Sequence, residues 1–189
     1  MRIIAGIFKG RKILKPVDTS TRPLKDMVRE SIFNILEHSK LTNNKLKNLN
    51  VLDLYSGIGS FGLECLSRGA RKVFFIEKHL PTLEILKKNI KALNCENNCE
   101  IIENDVTRLK EFSKILNHKF NLVFLDPPFK DMNVNLIIDL IYDMKILDNK
   151  AVIIIHRNKD IKEKYNEKLN EIRIENYGKS KIIFNQLLN

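Results

Sequence analysis

From residue 50 onward, short apolar runs alternate with stretches of helical periodicity, and this alternation constrains the fold more than any other feature. The first five apolar runs occupy residues 51–55, 72–77, 100–103, 120–125 and 151–155. Helical stretches lie between most of them, as parallel strands require. Two further runs, at 169–175 and 181–187, have only a short connection, so we expect them to pair antiparallel. The sequence predicts an α/β fold with a mostly parallel seven-stranded sheet and an antiparallel C-terminal strand.

The first 50 residues differ from this region in their charge. They hold 11 Lys or Arg and only four Asp or Glu, so they carry +7 of the chain's net charge of +10. Two short strands with glycines between them predict a β-hairpin over residues 2–14, and a helix is expected over 24–37. The charge favours a polyanionic partner, with nucleic acid before an anionic membrane surface; a solvated lysine-rich surface is the alternative.

Several classes of protein are excluded by what the sequence lacks. It has no apolar run of 18 residues, which predicts no transmembrane helix, and the early charge at Arg2 argues against a signal peptide. The three cysteines, Cys65, Cys95 and Cys99, are an odd number without metal-site spacing. They predict reduced thiols, no metal and a cytoplasmic protein.

Polar residues stand at the ends of the first four apolar runs, where ligands bind in such sheets. These residues are Asp53, Glu77, the pair Asn104 and Asp105, and the loop Asp126-Pro127-Pro128-Phe129. Asp53 precedes Gly57-Ile58-Gly59-Ser60-Phe61-Gly62, which matches G-x-G-x-x-G and lets the backbone approach a ligand closely. NAD binding and an ordinary tight turn are alternative interpretations of the glycines.

Each of these groups suits a nucleoside ligand. Glu77 could accept hydrogen bonds from both ribose hydroxyls, or it could simply face solvent. Asp105 could accept from an adenine amino group or cap a following helix. The two prolines remove backbone donors and leave carbonyl oxygens for a ligand, while Phe129 offers a flat face to a base. Asp126 and a carbonyl oxygen could therefore hold a planar amino group.

These residues resemble class I S-adenosylmethionine-dependent methyltransferases that modify amino groups, and the RsmD family of bacterial 16S rRNA guanine-N2 methyltransferases in particular. The similarity covers nearly the whole chain. It includes MRIIAG at 1–6, TRP-x-x-D-x-VRE-x-x-FNIL at 21–36, VLDL-x-x-G-x-G-x-x-GLE-x-LSRGA at 51–70, LDPPF at 125–129 and YG-x-x-x-I at 177–182.

The resemblance implies a Rossmann-like fold with a basic extension over residues 1–45 for RNA and a catalytic domain over 46–189, packed as one compact unit. It implies methyl transfer to the N2 group of a guanine in 16S rRNA, as in the guanine 966 modification. The substrate would be a small-subunit assembly particle, and the protein a monomer. Adenine-N6 or glutamine methylation is one alternative, and an inactive RNA-binding assembly factor is another; an NAD oxidoreductase fits least.

The resemblance also assigns roles to residues. Asp53, Gly57, Gly59, Glu77, Asn104 and Asp105 would bind S-adenosylmethionine, Asp126, Pro127 and Phe129 would orient the base, and Arg11, Lys12, Arg22 and Arg29 would bind RNA. One departure follows the fifth strand, where His156 and Arg157 stand in place of a common acidic residue. We expect His156 to be a partly exposed strand-end residue without a catalytic role.

Overall fold

The computed structural model of the chain describes residues 1–16, 24–39, 41–42 and 46–188. Its helices are α1 (Asp26–His38), α2 (Ser60–Ser67), α3 (Leu80–Leu93), α4 (Ser113–Leu116) and α5 (Val134–Asp143), with 3-10 turns at Glu96–Asn98 and Val106–Glu111. Its strands are β1 (Asn50–Leu54), β2 (Lys72–Glu77), β3 (Cys99–Glu103), β4 (Phe120–Leu125), β5 (Leu147–Asn158), β6 (Leu169–Tyr177) and β7 (Ser180–Leu187).

The seven strands form one sheet in the order β3-β2-β1-β4-β5-β7-β6. The pairs from β3 through β5 are parallel, and β7 pairs antiparallel with both β5 and β6. The predicted fold class is therefore confirmed. The largest difference in bounds is β5, which extends to Asn158, so that His156 and Arg157 lie inside the strand rather than after it.

The strand order explains where a ligand can bind. Chain order reverses beside β1, because β2 and β3 lie on one side of it while β4 and β5 lie on the other. At such a reversal the loops leaving neighbouring strands diverge and open a crevice at their carboxyl ends. The central strands are buried on both faces, since two hydrophobic clusters enclose the sheet, so the crevice rests on a rigid base.

The predicted N-terminal hairpin is reduced to one antiparallel bridge, between Arg2 and Lys12. The segment does fold back, because the Ile3 amide donates to the Arg11 carbonyl at 3.0 Å. Regular strands do not form because the next two amides leave the pairing: Ile4 and Ala5 both donate to the carboxylate of Glu64 on α2. The segment is thus attached to the helix layer rather than to a strand of its own.

Arg29 on α1 was predicted to face solvent and bind RNA, and this prediction is wrong. Its side chain is fully buried. It donates to the Arg2 carbonyl oxygen at 2.6 Å and to Asp26 at 3.0 Å, and its Nε lies 4.0 Å from Glu64. The guanidinium therefore fixes the N-terminal segment to α1, and it has no surface to offer a partner.

The basic N-terminal part and the sheet share a hydrophobic cluster. Ile3, Ile13 and Val28 belong to the same cluster as Val51 and Phe61. The division at residues 45 and 46 stays a prediction. Within the described part of the chain, no helix is both long enough and apolar enough to cross a membrane.

Candidate active site

A cleft of about 430 Å³ opens at the carboxyl ends of the parallel strands. It collects six of the residues predicted for cofactor or base binding: Gly57, Glu77, Asn104, Asp126, Pro127 and Phe129. These residues follow four different strands, and the sheet topology brings them together. Other residues at the cleft were not predicted, among them Leu24, Tyr55, Ser56, His79 and His156.

Glu77 is held in a fixed position at one side of the cleft. Its Oε2 accepts from the Gly57 amide at 2.9 Å, and its Oε1 accepts from the amides of Lys78 and His79, both at 2.9 Å. Three backbone donors therefore orient one carboxylate. This arrangement excludes the interpretation of Glu77 as a loose solvent-facing strand end, and it presents a fixed acceptor to a ligand.

Gly59 supports the glycine turn without lining the cleft. Its φ of +82° is left-handed, and it caps the N-terminus of α2. A Cβ atom there would lie 2.4 Å from the Leu86 side chain, because α3 packs directly beneath the turn. The predicted cofactor contact of Gly59 is therefore replaced by a structural role: it lets the turn pack closely on α3.

Substituting Gly59 with alanine tests this role, and Gly10 is the matched control. Gly10 has nearly the same φ, +81°, but a Cβ there meets nothing within 4 Å. We expect Gly10→Ala to cost about 1 kcal/mol through backbone strain, and Gly59→Ala to cost about 1–3 kcal/mol more through overpacking. Urea unfolding measures both; equal costs would show that packing beneath Gly59 is unimportant.

Asp53 lies beneath the glycine turn and is almost completely buried. Its Oδ2 accepts from the Gly62 amide at 3.0 Å, whereas its Oδ1 has no hydrogen-bond partner in the described structure. The same holds for the Ser56 hydroxyl, which lines the cleft. Burial raises the pKa of Asp53 well above its usual range. Two buried polar atoms beside one turn indicate a place for polar groups of a ligand.

Asp105 does not line the cleft, and its carboxylate is engaged elsewhere. Its Oδ1 accepts from the amide and hydroxyl of Thr107, and its Oδ2 accepts from Lys78 Nζ at 2.7 Å. The bond from Lys78 lowers the pKa of Asp105 to about 2. Of the two alternatives, the structure favours the cap over the adenine contact. Asn104 is the member of the pair that faces the cleft.

The Asp-Pro-Pro-Phe loop is fixed by residues of β5. Arg157 is fully buried and donates to the carbonyls of Pro128 at 3.2 Å and Asp131 at 2.8 Å. The Pro128 carbonyl is therefore occupied, contrary to the expectation that both prolines leave theirs for a ligand. Among the described residues no group donates to the Pro127 carbonyl, so this is the carbonyl available at the cleft.

His156 is also buried, which corrects its predicted partial exposure. Its Nδ1 lies 2.7 Å from Asp126 Oδ1, and its Nε2 lies 2.9 Å from the Ser180 hydroxyl. The signal in the sequence was a His-Arg pair at the end of an apolar run, which places polar groups where a buried strand meets a loop.

Tyr55 is a further cleft residue that the sequence did not single out. It follows β1 with a φ of +58°, and its hydroxyl donates to Asp131 at 2.9 Å. Burial and this acceptor raise the pKa of Tyr55. The contact joins the loop after β1 to the loop after β4, so the two sides of the cleft are tied together.

The four residues predicted to contact RNA lie in different environments. Arg11 and Lys12 are exposed, and Arg11 also donates to the Ala92 carbonyl at the end of α3. Arg29 is buried, as described above. Arg22 lies outside the described residues. Only the first two therefore remain as candidate contacts in the described structure.

Comparison with known proteins gives matches along nearly the whole chain. A family profile described as Conserved hypothetical protein 95 matches residues 1–186. Ribosomal RNA small subunit methyltransferase D of Haemophilus influenzae is 34% identical over 161 residues, which cover 85% of this chain and 80% of that protein. The protein of the same name from Escherichia coli strain K12 is 34% identical over 155 residues, covering 82% and 73%.

A solved structure extends the similarity to the fold. An Escherichia coli protein described as a proposed methyltransferase, yhhF, superimposes with a TM-score of 0.80 and 27% identity. The match covers 99% of this chain and 97% of that one. With the strand order, the cleft and the sequence matches taken together, the chain belongs to the RsmD family, the family of ribosomal RNA small subunit methyltransferase D.

Proposed function

We propose that this protein transfers a methyl group from S-adenosylmethionine to the N2 amino group of a guanine in 16S rRNA. The observation that carries the proposal is the pairing of Asp126 with the Pro127 carbonyl in the same cleft as Glu77 and the glycine turn. One side of the cleft suits a nucleoside cofactor, and the other suits a planar amino group. The names of the RsmD relatives support the same reaction.

The residues present fit S-adenosylmethionine. Glu77 accepts hydrogen bonds and would take the two ribose hydroxyls, while Asn104 and Val106 lie where the adenine would rest. The unpartnered Asp53 Oδ1 and Ser56 hydroxyl lie at the glycine turn, where the methionine end would bind. The cofactor supplies a methyl group that is already electrophilic. No metal is needed to activate it.

Loss of the Glu77 carboxylate should weaken cofactor binding. S-adenosylhomocysteine at 100 times its Kd should stabilise the wild-type protein by about 2.7 kcal/mol, because it binds only the folded state. We expect Glu77→Gln to lose most of that gain, and Glu103→Gln, at the exposed end of the neighbouring strand β3, to keep it. A thermal shift series measures this. Equal shifts in both variants, or a shift with NAD instead, would contradict the assignment.

Catalysis by this chain would come from positioning. The lone pair of guanine N2 is delocalised into the ring, so the amino group is a weak nucleophile. Hydrogen bonds to Asp126 and the Pro127 carbonyl would orient it in line with the methyl group, and Phe129 would stack on the base. The proton released from N2 passes to Asp126 or to water. The base must be unpaired or flipped to reach the cleft.

RNA binding would use the exposed basic residues of the N-terminal segment. We expect Arg11→Glu together with Lys12→Glu to weaken RNA binding and to reduce the slope of log affinity against log salt by about two, because each lost phosphate contact removes about one. Lys150→Glu with Lys164→Glu makes the same charge change at exposed positions elsewhere. Filter binding at several salt concentrations compares them. Identical slopes in both double variants would mean that the N-terminal charge is only a solvated surface.

Adenine-N6 and glutamine-amide methylation use the same kind of planar amino group. The test is methyl transfer from labelled S-adenosylmethionine to four substrates: naked 16S rRNA, small-subunit particles, adenine-containing DNA and a glutamine peptide. The proposal expects label in RNA or particles alone. Label in DNA or peptide supports the rival enzymes, and binding of RNA without transfer supports an inactive assembly factor. We further propose a monomer that acts in the cytoplasm on an assembly particle.

A further inference from the structure

We propose that His156 is a positioning residue for the acceptor carboxylate, held in its working tautomer by Ser180. This inference rests on the proposed function. The structure places an Asp126–His156–Ser180 chain behind the cleft, running from the loop after β4 through β5 to the start of β7. It assigns to His156 the task of fixing which oxygen of Asp126 meets the substrate.

The geometry fixes the proton on the imidazole. An ionised carboxylate only accepts hydrogen bonds, so at 2.7 Å from Asp126 Oδ1 the His156 Nδ1 must carry a proton. The neutral ring then needs a donor at Nε2, and the Ser180 hydroxyl is 2.9 Å away. Both His156 and Ser180 are buried, so water does not compete for either contact.

The consequence falls on the other carboxylate oxygen. Oδ1 is occupied by the imidazole, while Oδ2 has no hydrogen-bond partner among the described residues, and the Asp126 side chain is 20% exposed. Oδ2 is therefore the oxygen for the substrate amino group. Without the imidazole, the carboxylate could rotate between orientations, and the fraction in the productive one would fall.

The packing around His156 leaves it no other partner. The ring of Phe129 meets it edge to face at 5.8 Å between centroids, and Asp126 and Ser180 take its two nitrogens. Its neighbour Arg157 turns to Glu163 and to the loop carbonyls. His156 thus contacts both residues expected to hold the base, and it does so without lying between them and the substrate.

Two conservative variants separate positioning from simple packing. In His156→Asn the amide nitrogen can replace Nδ1 and donate to Asp126. In His156→Gln it reaches the Nε2 position and serves only Ser180. We expect His156→Asn to keep kcat within a few-fold of wild type and His156→Gln to lose about 10- to 100-fold, the range for a lost hydrogen bond to a charged group. The KM for S-adenosylmethionine should change in neither.

Ser180→Ala provides a second, milder measurement should His156→Gln fail to fold. It removes only the partner of Nε2, and we expect about a 2- to 10-fold loss in kcat with an unchanged KM for the cofactor. Circular dichroism melting controls for folding. The proposal is overturned if folded His156→Gln keeps full kcat, if Asn and Gln lose the same amount, or if Ser180→Ala lowers Tm without lowering kcat.

A spectroscopic readout keeps this inference separate from the proposed reaction. The proton on His156 Nδ1 should give a downfield NMR resonance in the wild-type protein that Asp126→Ala shifts or removes. If the resonance behaves so while no substrate is methylated, the proposed function fails and the Asp126–His156 contact stands. If methyl transfer proceeds and Asp126→Ala leaves the imidazole resonance unchanged, the positioning role fails alone.

Discussion

Replacing Asp126 with alanine should abolish methyl transfer while the cofactor still binds. Asp126 lies across the cleft from Glu77 and follows β4, so its carboxylate meets the acceptor rather than the ribose. Losing an oriented group that acts on the reacting atom costs about 10²- to 10³-fold in kcat. Single-turnover transfer from labelled S-adenosylmethionine measures the loss, and calorimetry with S-adenosylhomocysteine measures cofactor affinity.

Asp148→Ala is the control for this variant. Asp148 is an exposed acid near the start of β5, so its removal makes the same change in charge at a distance from the cleft. It should keep wild-type kcat and cofactor affinity. Wild-type turnover by a folded Asp126→Ala would mean that the Asp-Pro-Pro-Phe loop is purely structural. A matched loss of cofactor affinity would mean that Asp126 belongs to the nucleoside side.

Replacing Glu64 with alanine should produce the largest loss of stability. Glu64 is fully buried on α2 and accepts from the amides of Ile4 and Ala5 at 2.8 and 2.9 Å. It also pairs with Arg68 at 2.8 Å and lies 4.0 Å from Arg29. Its removal leaves buried guanidinium groups without their shared anion, which costs about 3–5 kcal/mol in the free energy of unfolding.

Urea unfolding measures this loss, with Glu84→Ala as the control. Glu84 pairs with Lys87 on the exposed face of α3, and an exposed pair contributes about 1 kcal/mol or less. Hydrogen exchange should also quicken at Ile4 and Ala5, whose amides lose their acceptor. Equal stabilities of the two variants would contradict the account of Glu64 as the anchor of the N-terminal segment.

The fold could be predicted because its signals are local. A buried parallel strand reads as a short apolar run, and the polar residue that ends it marks the carboxyl edge of the sheet. Glu77, Asn104 and Asp126 were therefore placed at one rim from sequence alone, and the structure brings them to one cleft. The order of the strands was not needed for that inference.

The errors concern contacts between distant parts of the chain. Arg29 reads as a surface residue because nothing near it in sequence shows that Glu64 waits on α2 to receive it. His156 reads as a strand end because its partners come from two other segments, one holding Asp126 and the other Ser180. Charged side chains are buried only with a partner, and sequence periodicity does not identify the partner.

The central claim is that this cleft methylates N2 of a guanine in 16S rRNA. The most direct measurement is nucleoside mass spectrometry of 16S rRNA and of small-subunit particles after incubation with the protein and S-adenosylmethionine. The account predicts N2-methylguanosine with the wild-type protein and none with Asp126→Ala. Methylated adenosine, or an RNA without any new methyl group while the folded protein binds S-adenosylhomocysteine, would contradict it.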